Sequence, residues 1–269
     1  MDISASIVTY KTPPAELDAL LCSFQKSTIP CQVIVVDNSP TAQLRLIAEA
    51  HDVEYVKPAS NIGFGAAHNL AMGRSISSSH YHLIVNPDIR FDSEVISELA
   101  RFMEAHPMVG LAMPKVLHPD GEEQSLCKRL PSPFDLFLRR FVGGDGRVLF
   151  KKRWDQYELR ELNMDVPREI PCLSGCFMFL RSEILKKVGG FDERYFMYME
   201  DVDLCRRIAK HTKTIFYPLV SVEHGYAKGS YKNWRLLRYH LHSAFKYFCK
   251  WGWIFDSERE VLNARTHVL

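Results

Sequence analysis

The N-terminal part of the chain alternates between continuous apolar runs and segments whose apolar residues recur every three or four positions. Short continuous runs are typical of strands in a parallel sheet covered on both faces, and the wider spacing is typical of amphipathic helices. The pattern predicts strand, helix, strand, helix and strand over Ile3–Tyr10, Glu16–Ser27, Gln32–Val36, Ala42–Ala50 and Val53–Lys57. This order predicts a doubly wound, nucleotide-binding sheet, in which ligands bind beyond the carboxyl ends of the strands.

The same pattern predicts further elements along the rest of the chain. The strands are Tyr81–Val85, Val109–Pro114, Pro171–Arg181, centred on Ser174 and Gly175, and Thr214–Pro218, and a helix covers Glu94–Ala105. His224 is predicted in a loop just after the sheet. Residues 115–165 have the least regular pattern. Residues 234–253 are predicted to form an amphipathic helix.

Five carboxylates fall within residues 192–203, and an apolar and aromatic run over residues 195–199 divides them. A helix is predicted to begin near Glu200, which puts Glu200, Asp201 and Asp203 in its first turn. One interpretation is that these acids only stabilise the helix through its dipole. The other is that they border an apolar pocket, where a carboxylate acquires a raised pKa suited to general base catalysis.

Composition narrows the class of protein. The chain has 269 residues, 46% of them hydrophobic, and a net charge of +2, which predicts one large domain with or without an appendage. Its seven cysteines show no CxxC pair, which favours reduced thiols in a cytosolic protein over a disulfide framework. We expect no signal peptide, because a basic leader is missing, and no membrane span, because no apolar run approaches about 20 residues.

Two glycines, Gly63 and Gly65, precede a helix that ends near Ser75. Glycine lets the backbone approach a ligand, and a helix N-terminus offers N–H groups to phosphate, although a plain turn explains the pair equally well. The dinucleotide fingerprint GxGxxG would follow the first strand, and Ile3–Tyr10 is not followed by one. NAD is therefore excluded.

Asp88 follows a predicted strand directly, in the run Asn86-Pro87-Asp88. A carboxylate at the end of a central strand is suited to hold a divalent cation beside a phosphate. The alternative is a turn that only ends the strand.

Two basic regions have open interpretations. Residues 115–165 mix basic and aromatic side chains without a nucleic-acid motif, so we expect a mobile acceptor-binding or membrane-facing segment and no nucleic acid. Residues 224–253 carry six Lys/Arg and no Asp/Glu. The helix within them either docks on the domain, with a solvated basic face, or lies on anionic lipid with Trp251 and Trp253 near the headgroups. Its apolar stripe is predicted to consist of Leu237, Leu241, Ala244 and Phe248.

Several separated motifs occur in one order along the chain. They are Thr9-Tyr10, Val35-Val36-Asp37-Asn38-Ser39, Asn61-Ile62-Gly63-Phe64-Gly65, Asn86-Pro87-Asp88 and Glu200-Asp201-Val202-Asp203. Together they resemble a family 2 glycosyltransferase of the GT-A fold, close to the bacterial rhamnosyltransferase branch, over residues 3–250. The resemblance implies an α/β domain over residues 1–225, with a Rossmann-like nucleotide-binding mixed sheet, flanking helices and a variable acceptor segment at 115–165. A C-terminal amphipathic helical tail would cover residues 226–269.

What the resemblance implies is an inverting transfer from a nucleotide-sugar to an acceptor hydroxyl. Asp37 would bind the base of the nucleotide, with Thr9 and Tyr10 lining that pocket. The implied substrate-binding positions are Thr9, Tyr10, Asp37, Asn61, Gly63, Phe64, Asn86, Ser174 and Gly175.

The resemblance also implies the catalytic and metal positions. Asp88 matches the last acid of the family's DxD motif, which binds Mg²⁺ or Mn²⁺, but Asn86 at the first position leaves a single carboxylate. His224 matches a further metal ligand of some members. Asp201 matches the catalytic base, and Glu200 and Asp203 would be acceptor-binding or orienting neighbours.

We therefore expect an enzyme at the inner face of the cell membrane that takes dTDP-L-rhamnose as donor and a lipid-linked glycan as acceptor. A UDP-sugar such as UDP-galactose would keep the same motifs. A nucleotidyltransferase should show a glycine-rich basic loop after the first strand, which Ile7–Pro14 lacks. A catalytically inactive glycan-binding module is the third alternative, and the retained Asp88 and Asp201 count against it.

Overall fold

One mixed sheet runs through the molecule. The structure, a computed structural model, describes residues 2–142, 149–225 and 234–269. Its strands are β1 (Ile3–Thr9), β2 (Cys31–Asp37), β3 (Glu54–Val56), β4 (Tyr81–Val85), β5 (Ile89–Phe91), β6 (Val109–Leu117), β7 (Arg168–Glu169), β8 (Phe177–Arg181) and β9 (Lys213–His224). Their order in the sheet is β3-β2-β1-β4-β8-β6-β9-β5, and β7 pairs with β9.

Helices cover both faces of this sheet. Those within the described ranges are α1 (Pro14–Lys26), α2 (Arg45–Ala50), α3 (Phe64–Ser75), α4 (Val95–Ala105), α5 (Pro133–Phe141), α6 (Lys151–Tyr157), α7 (Ser182–Val188), α8 (Glu200–Ala209), α9 (Trp234–Trp251) and α10 (Ser257–Asn263). Buried residues of α1 and α4 share one hydrophobic cluster with the sheet, and those of α3, α7 and α8 share the other. Burial on both faces explains why the strand sequences are continuous apolar runs instead of alternating ones.

The N-terminal half of the sheet confirms the predicted β-α-β-α-β order. Strands β3, β2, β1 and β4 are parallel neighbours, so their carboxyl ends meet at one edge. Thr9 lies opposite Asp37 in the register of β1 and β2. Two side chains that are far apart in the sequence are thereby brought into contact at the predicted ligand-binding edge.

In the C-terminal half, two differences from the prediction concern candidate site residues. The predicted strand at Pro171–Arg181 begins only at Phe177, so Ser174 and Gly175 lie in the loop before it. His224 is the last residue of β9 and pairs with Ile89 of β5, so its prediction as a loop residue was wrong. The reason is that β5 has three residues, too few for a periodic pattern to reveal the partner strand.

The tail helix α9 docks on the domain. Its buried residues are Ser243, Tyr247 and Phe248, while Leu241 of the predicted stripe is 47% exposed. Trp251 also faces the protein, because its indole nitrogen donates to Asp203 over 2.8 Å. Within the ranges that the structure describes, no helix combines the length and apolar character needed to cross a membrane.

Candidate active site

The first part of the site lies where β1 and β2 end. Thr9 and Asp37 are fully buried, and the Thr9 hydroxyl donates to Asp37 Oδ1 over 3.0 Å. The Ser39 amide donates to the same oxygen over 2.9 Å, and the Tyr55 hydroxyl donates to Asp37 Oδ2 over 2.6 Å. Burial raises the pKa of Asp37, but the hydrogen bonds from Ser39 and Tyr55 outweigh it and hold that pKa below its ordinary value. Tyr10, the next residue after β1, is 45% exposed.

Sequence reasoning missed three residues at this end of the site: Asn38, Tyr55 and Lys57. Lys57 Nζ donates to the carbonyl oxygens of Asp37 and Ser39. The Asn38 amide donates to the Gly63 carbonyl oxygen over 3.0 Å, which ties the end of β2 to the glycine loop. Their position at the carboxyl ends of β2 and β3 is the signal that could have selected them.

The glycine loop leads into α3 and contacts the acidic segment. Gly63 N donates to Asn61 Oδ1 over 2.9 Å, and Phe64 N donates to the Phe196 carbonyl oxygen over 3.0 Å. Gly63 has φ +92°, and a Cβ there would lie 2.5 Å from the same Phe196 oxygen. Glycine is therefore required at this position by both its backbone conformation and the space available.

Asp88 and His224 meet at the ends of β4 and β9. His224 Nε2 lies 3.3 Å from Asp88 Oδ1 and 3.5 Å from the Asn86 amide nitrogen. The Gln124 amide donates to the His224 carbonyl oxygen over 3.0 Å, which turns Gln124 Oε1 towards His224 Nδ1 at 3.0 Å. Nδ1 therefore carries a ring proton, and Nε2 is the ring nitrogen that faces Asp88.

This set of donors fits a divalent cation. A carboxylate oxygen and an imidazole nitrogen lie 3.3 Å apart, close enough for both to bind one cation. Oxygen and nitrogen donors of this kind suit Mg²⁺ or Mn²⁺, and the Gln124 contact orients the histidine as outer partners of ligating histidines do. Asn86 lies beside this pair but contributes no charge.

Asp201 is the second residue of α8, where the helix dipole favours a negative charge. Its Oδ2 accepts from Gly175 N over 3.2 Å, and its Oδ1 accepts from Val202 N over 2.8 Å. The two residues that precede α8, Tyr198 and Met199, both have left-handed backbone conformations, with φ of 68° and 67°. Consecutive strained residues of this kind concentrate at functional sites, where the surrounding structure holds them in place.

Glu200 is the neighbour of Asp201 and has a different environment. It is 6% exposed, and within the described residues its Oε2 has no hydrogen-bond partner. Burial raises the pKa of Glu200 to about 8, and the charge of Asp201 adds to the effect. At neutral pH Glu200 is therefore mainly a neutral acid that can donate a hydrogen bond.

The Asp203 carboxylate points towards the tail helix α9. It is fully buried, and its Oδ1 accepts from Lys250 Nζ over 2.7 Å and from Trp251 Nε1 over 2.8 Å. Its Oδ2 accepts from Arg207 Nε over 2.7 Å. Both oxygens of this carboxylate therefore accept hydrogen bonds from side chains of α8 and α9.

The loop before β8 brings Gly175 against two other elements of the site. A Cβ at Gly175 would lie 3.3 Å from Asp201 Cβ and 3.6 Å from Phe64 Cε1. Phe64 at the start of α3 and Asp201 at the start of α8 therefore converge on this loop. Ser174 lies in the same loop, where its hydroxyl accepts from Cys176 N over 3.4 Å.

Cys176 lies between the two acidic parts of the site. Burial raises the pKa of its thiol to about 12, with smaller contributions from the charges of Asp88 and Asp201. A buried, protonated thiol of this kind is unsuited to act as a nucleophile. The structure thus brings Asp88 and Asp201 near the same thiol and Gly175 against Asp201, whereas Asp203 contacts the tail.

Comparison with known proteins identifies the family. The sequence model of Glycosyl transferase family 2 matches residues 4–189, more than half of the chain. The chain belongs to this family. It is therefore a glycosyltransferase, and the resemblance inferred from the ordered motifs is confirmed.

Two curated relatives of this family 2 glycosyltransferase are rhamnosyltransferases. The chain is 29% identical over 234 residues to N-acetylglucosaminyl-diphospho-decaprenol L-rhamnosyltransferase of Mycobacterium tuberculosis, covering 81% of this chain and 74% of the relative. It is 26% identical over 229 residues to Rhamnosyltransferase WbbL of Escherichia coli, covering 81% and 82%.

Solved structures show the same GT-A fold. The mannosyltransferase PcManGT from Pyrobaculum calidifontis, in complex with GDP-Man and Mn²⁺, gives a TM-score of 0.62 at 18% identity, covering 98% of this chain and 68% of that one. A fragment of S. aureus TarS gives a TM-score of 0.57 at 17% identity, covering 83% of this chain. This family 2 glycosyltransferase spans 60% of the length of that TarS fragment.

Proposed function

We propose that this glycosyltransferase transfers L-rhamnose from dTDP-L-rhamnose to a hydroxyl of a lipid-linked or polysaccharide acceptor in bacterial O-antigen, capsule or cell-wall synthesis. The names of the two rhamnosyltransferase relatives support the sugar. The diphospho-decaprenol in one of those names supports a lipid-linked acceptor. The observation that carries the reaction type is the position of Asp201, at the N-terminus of α8 and hydrogen-bonded to Gly175 N at the cleft.

Asp201 acts as the general base. An acceptor hydroxyl is a weak nucleophile, and a carboxylate within hydrogen-bond reach takes its proton as the bond to the anomeric carbon forms, which accelerates the step roughly a hundredfold or more. The hydroxyl attacks one face of the sugar while the nucleoside diphosphate leaves from the other, so a single displacement inverts the anomeric carbon. The Gly175 amide holds the carboxylate in one orientation.

The neighbours of Asp201 have two different tasks. Glu200, neutral at neutral pH, donates a hydrogen bond to an acceptor oxygen next to the reacting hydroxyl. Asp203 is a positioning residue, since its carboxylate is saturated by Lys250, Trp251 and Arg207.

The donor lies along the edge between β1, β2 and α3. Asp37 and Thr9 bind the nucleotide base, Tyr10 lines that pocket, and Asn61, Gly63 and Phe64 contact the nucleotide-sugar from the start of α3. Asp88 and His224 would hold Mg²⁺ or Mn²⁺, with Asn86 beside them, and such an ion when bound neutralises the charge of the leaving phosphates. Ser174 and Gly175 line the sugar side of the cleft.

These roles divide the chain into a catalytic domain and a C-terminal tail. Residues 1–225 form the catalytic domain, including the acceptor segment 115–165, and residues 226–269 form the tail. We place the enzyme in the cytoplasm at the inner face of the cell membrane, where a lipid-linked acceptor is presented.

A melting experiment tests the donor. The purified protein is heated with dTDP, UDP, GDP or CMP, each with Mn²⁺ and with a chelator, because a ligand that binds only the native state raises the melting temperature. We expect a metal-dependent shift with dTDP alone. A shift with UDP would mean that the protein is a glycosyltransferase with a UDP-sugar as its donor. No shift with any nucleotide would contradict the proposal.

A single substitution tests the base. Asp201→Asn should keep the dTDP-dependent melting shift and lower the turnover rate at least a hundredfold. Asp18→Asn, on the exposed surface of α1, is the matched control and should keep full turnover. Normal turnover by Asp201→Asn would show that Asp201 is not the general base.

A further inference from the structure

Four large apolar side chains are exposed together near the end of the chain. They are Phe245 at 56%, Trp253 at 44%, Ile254 at 77% and Phe255 at 95% exposure, and we call them the apolar edge. The rings of Phe245 and Trp253 are 5.6 Å apart, so the helix and the following turn contribute to one surface. Contiguous exposed apolar residues of this size mark interaction sites more often than isolated ones do.

The backbone on both sides of the apolar edge is fixed. Gly252 has φ +105°, and its N–H donates to the Phe248 carbonyl oxygen over 2.8 Å. On the other side, Asp256 accepts two hydrogen bonds from the buried Arg206 of α8, over 2.7 and 2.5 Å. The turn is therefore held against the catalytic helix while its side chains point into solvent.

The helix before the apolar edge, α9, is positively charged, whereas α10 after it carries Glu258, which pairs with Arg206 and Lys210, and Glu260. Helix α9 contains Arg235, Arg238, Lys246 and Lys250 and no acidic residue. Lys250 pairs with Asp192 and Asp203. Arg235, which donates to the Tyr239 hydroxyl, and Arg238 lie on exposed positions of the helix. Apolar side chains beside exposed cations are typical of protein surfaces that lie on anionic lipid.

We propose that the apolar edge inserts into the interface of a bilayer that contains anionic lipid, and that the exposed arginines of α9 bind its headgroups. Three of its four side chains are consecutive residues of one turn, and the last of them, Phe255, is 95% exposed, so the turn can enter a fluid interface. Because Arg206 and Asp203 attach this turn and α9 to α8, docking also sets the orientation of Asp201 relative to the membrane. The inference rests on the proposed function, in which the acceptor is lipid-linked.

Vesicle sedimentation with the full chain tests the proposal without donor or acceptor. We compare vesicles of phosphatidylcholine with and without phosphatidylglycerol, and the double variant Trp253→Ser/Phe255→Ser with the wild type. The matched control is Leu46→Ser/Met108→Ser, which removes two side chains of 75% and 64% exposure elsewhere on the surface. We expect the wild type and the control to bind anionic vesicles equally, and the Trp253/Phe255 variant to bind at least tenfold more weakly.

Two results would overturn the proposal. One is equal vesicle binding by the Trp253/Phe255 variant and the control. The other is no binding of the wild type to anionic vesicles. If sedimentation velocity then shows a self-association that the Trp253/Phe255 variant abolishes, the edge belongs to a contact with a second copy of the chain. Since the assay involves no sugar transfer, a wrong donor or acceptor leaves its outcome unchanged.

Discussion

The indole nitrogen of Trp251 donates a hydrogen bond over 2.8 Å to the carboxylate of Asp203, two residues after the proposed base Asp201. Lys250 Nζ donates to the same oxygen over 2.7 Å. The first turn of α8 is thus fixed by the last turn of α9. This contact joins the proposed membrane-docking tail to the helix that carries the proposed base, Asp201.

Lys250→Met should destabilise the protein by about 1–3 kcal/mol, because it leaves the fully buried Asp203 with fewer partners. Lys246→Met is the matched control, since Lys246 donates to the Arg194 carbonyl oxygen at a more exposed site. Urea unfolding of the three proteins measures the difference. Equal free energies of unfolding for the two variants would show that the Lys250 contact contributes nothing specific.

Glu200→Gln should change how stability depends on pH. The pKa of Glu200 is raised to about 8 in the folded protein, so its neutral form stabilises the fold at low pH, and that contribution is lost as pH rises from the unfolded-state pKa through about 8. The variant has no such loss, so its free energy of unfolding relative to wild type should increase between pH 5 and pH 8.

Chemical unfolding at several pH values measures this difference. Glu193→Gln is the control, because Glu193 is an exposed residue of the same acidic segment. A constant difference between wild type and Glu200→Gln across the range would contradict the raised pKa.

Gln124→Leu should weaken binding of Mn²⁺ about ten- to a hundredfold, because Gln124 orients the His224 ring and fixes its proton on Nδ1. Calorimetric titration of Mn²⁺ in the presence of dTDP gives the affinity. Gln43→Leu, at an exposed position, should leave it unchanged. Identical affinities for both variants would argue against His224 as a metal ligand.

Gly63→Ala should destabilise the protein by about 1–3 kcal/mol and lower donor affinity, since φ is +92° and the added Cβ would lie 2.5 Å from the Phe196 carbonyl oxygen. Gly73→Ala, within the helix that follows Gly63, is an informative control, because its added Cβ meets no atom outside its own helix within 4 Å. That variant should be stabilised by about 0.5–1 kcal/mol. Equal destabilisation of the two variants would show that the backbone conformation and the space at Gly63 have no special importance.

The pattern of residues was sufficient for the strands of the parallel half and for the order of the motifs. It failed where an element is short or where its partner is distant in sequence. The three-residue strand β5 carries no periodic signal, so the place of His224 in the sheet was not predictable. The partners of Asp203 lie 47 and 48 residues away, and the pattern gives no information about which helix face meets them.

The sequence by itself determined the family, the β-α-β order and the positions of the candidate catalytic acids, because these depend on local periodicity and on motifs that stay together in the chain. Only the tertiary structure decided which acids share an environment. Asp201 accepts from Gly175, Glu200 is buried with one carboxyl oxygen unpaired among the described residues, and Asp203 accepts from the tail. The physical reason is that burial and hydrogen bonding are set by residues distant in sequence, whereas the three carboxylates occupy one helical turn and look equivalent in the sequence.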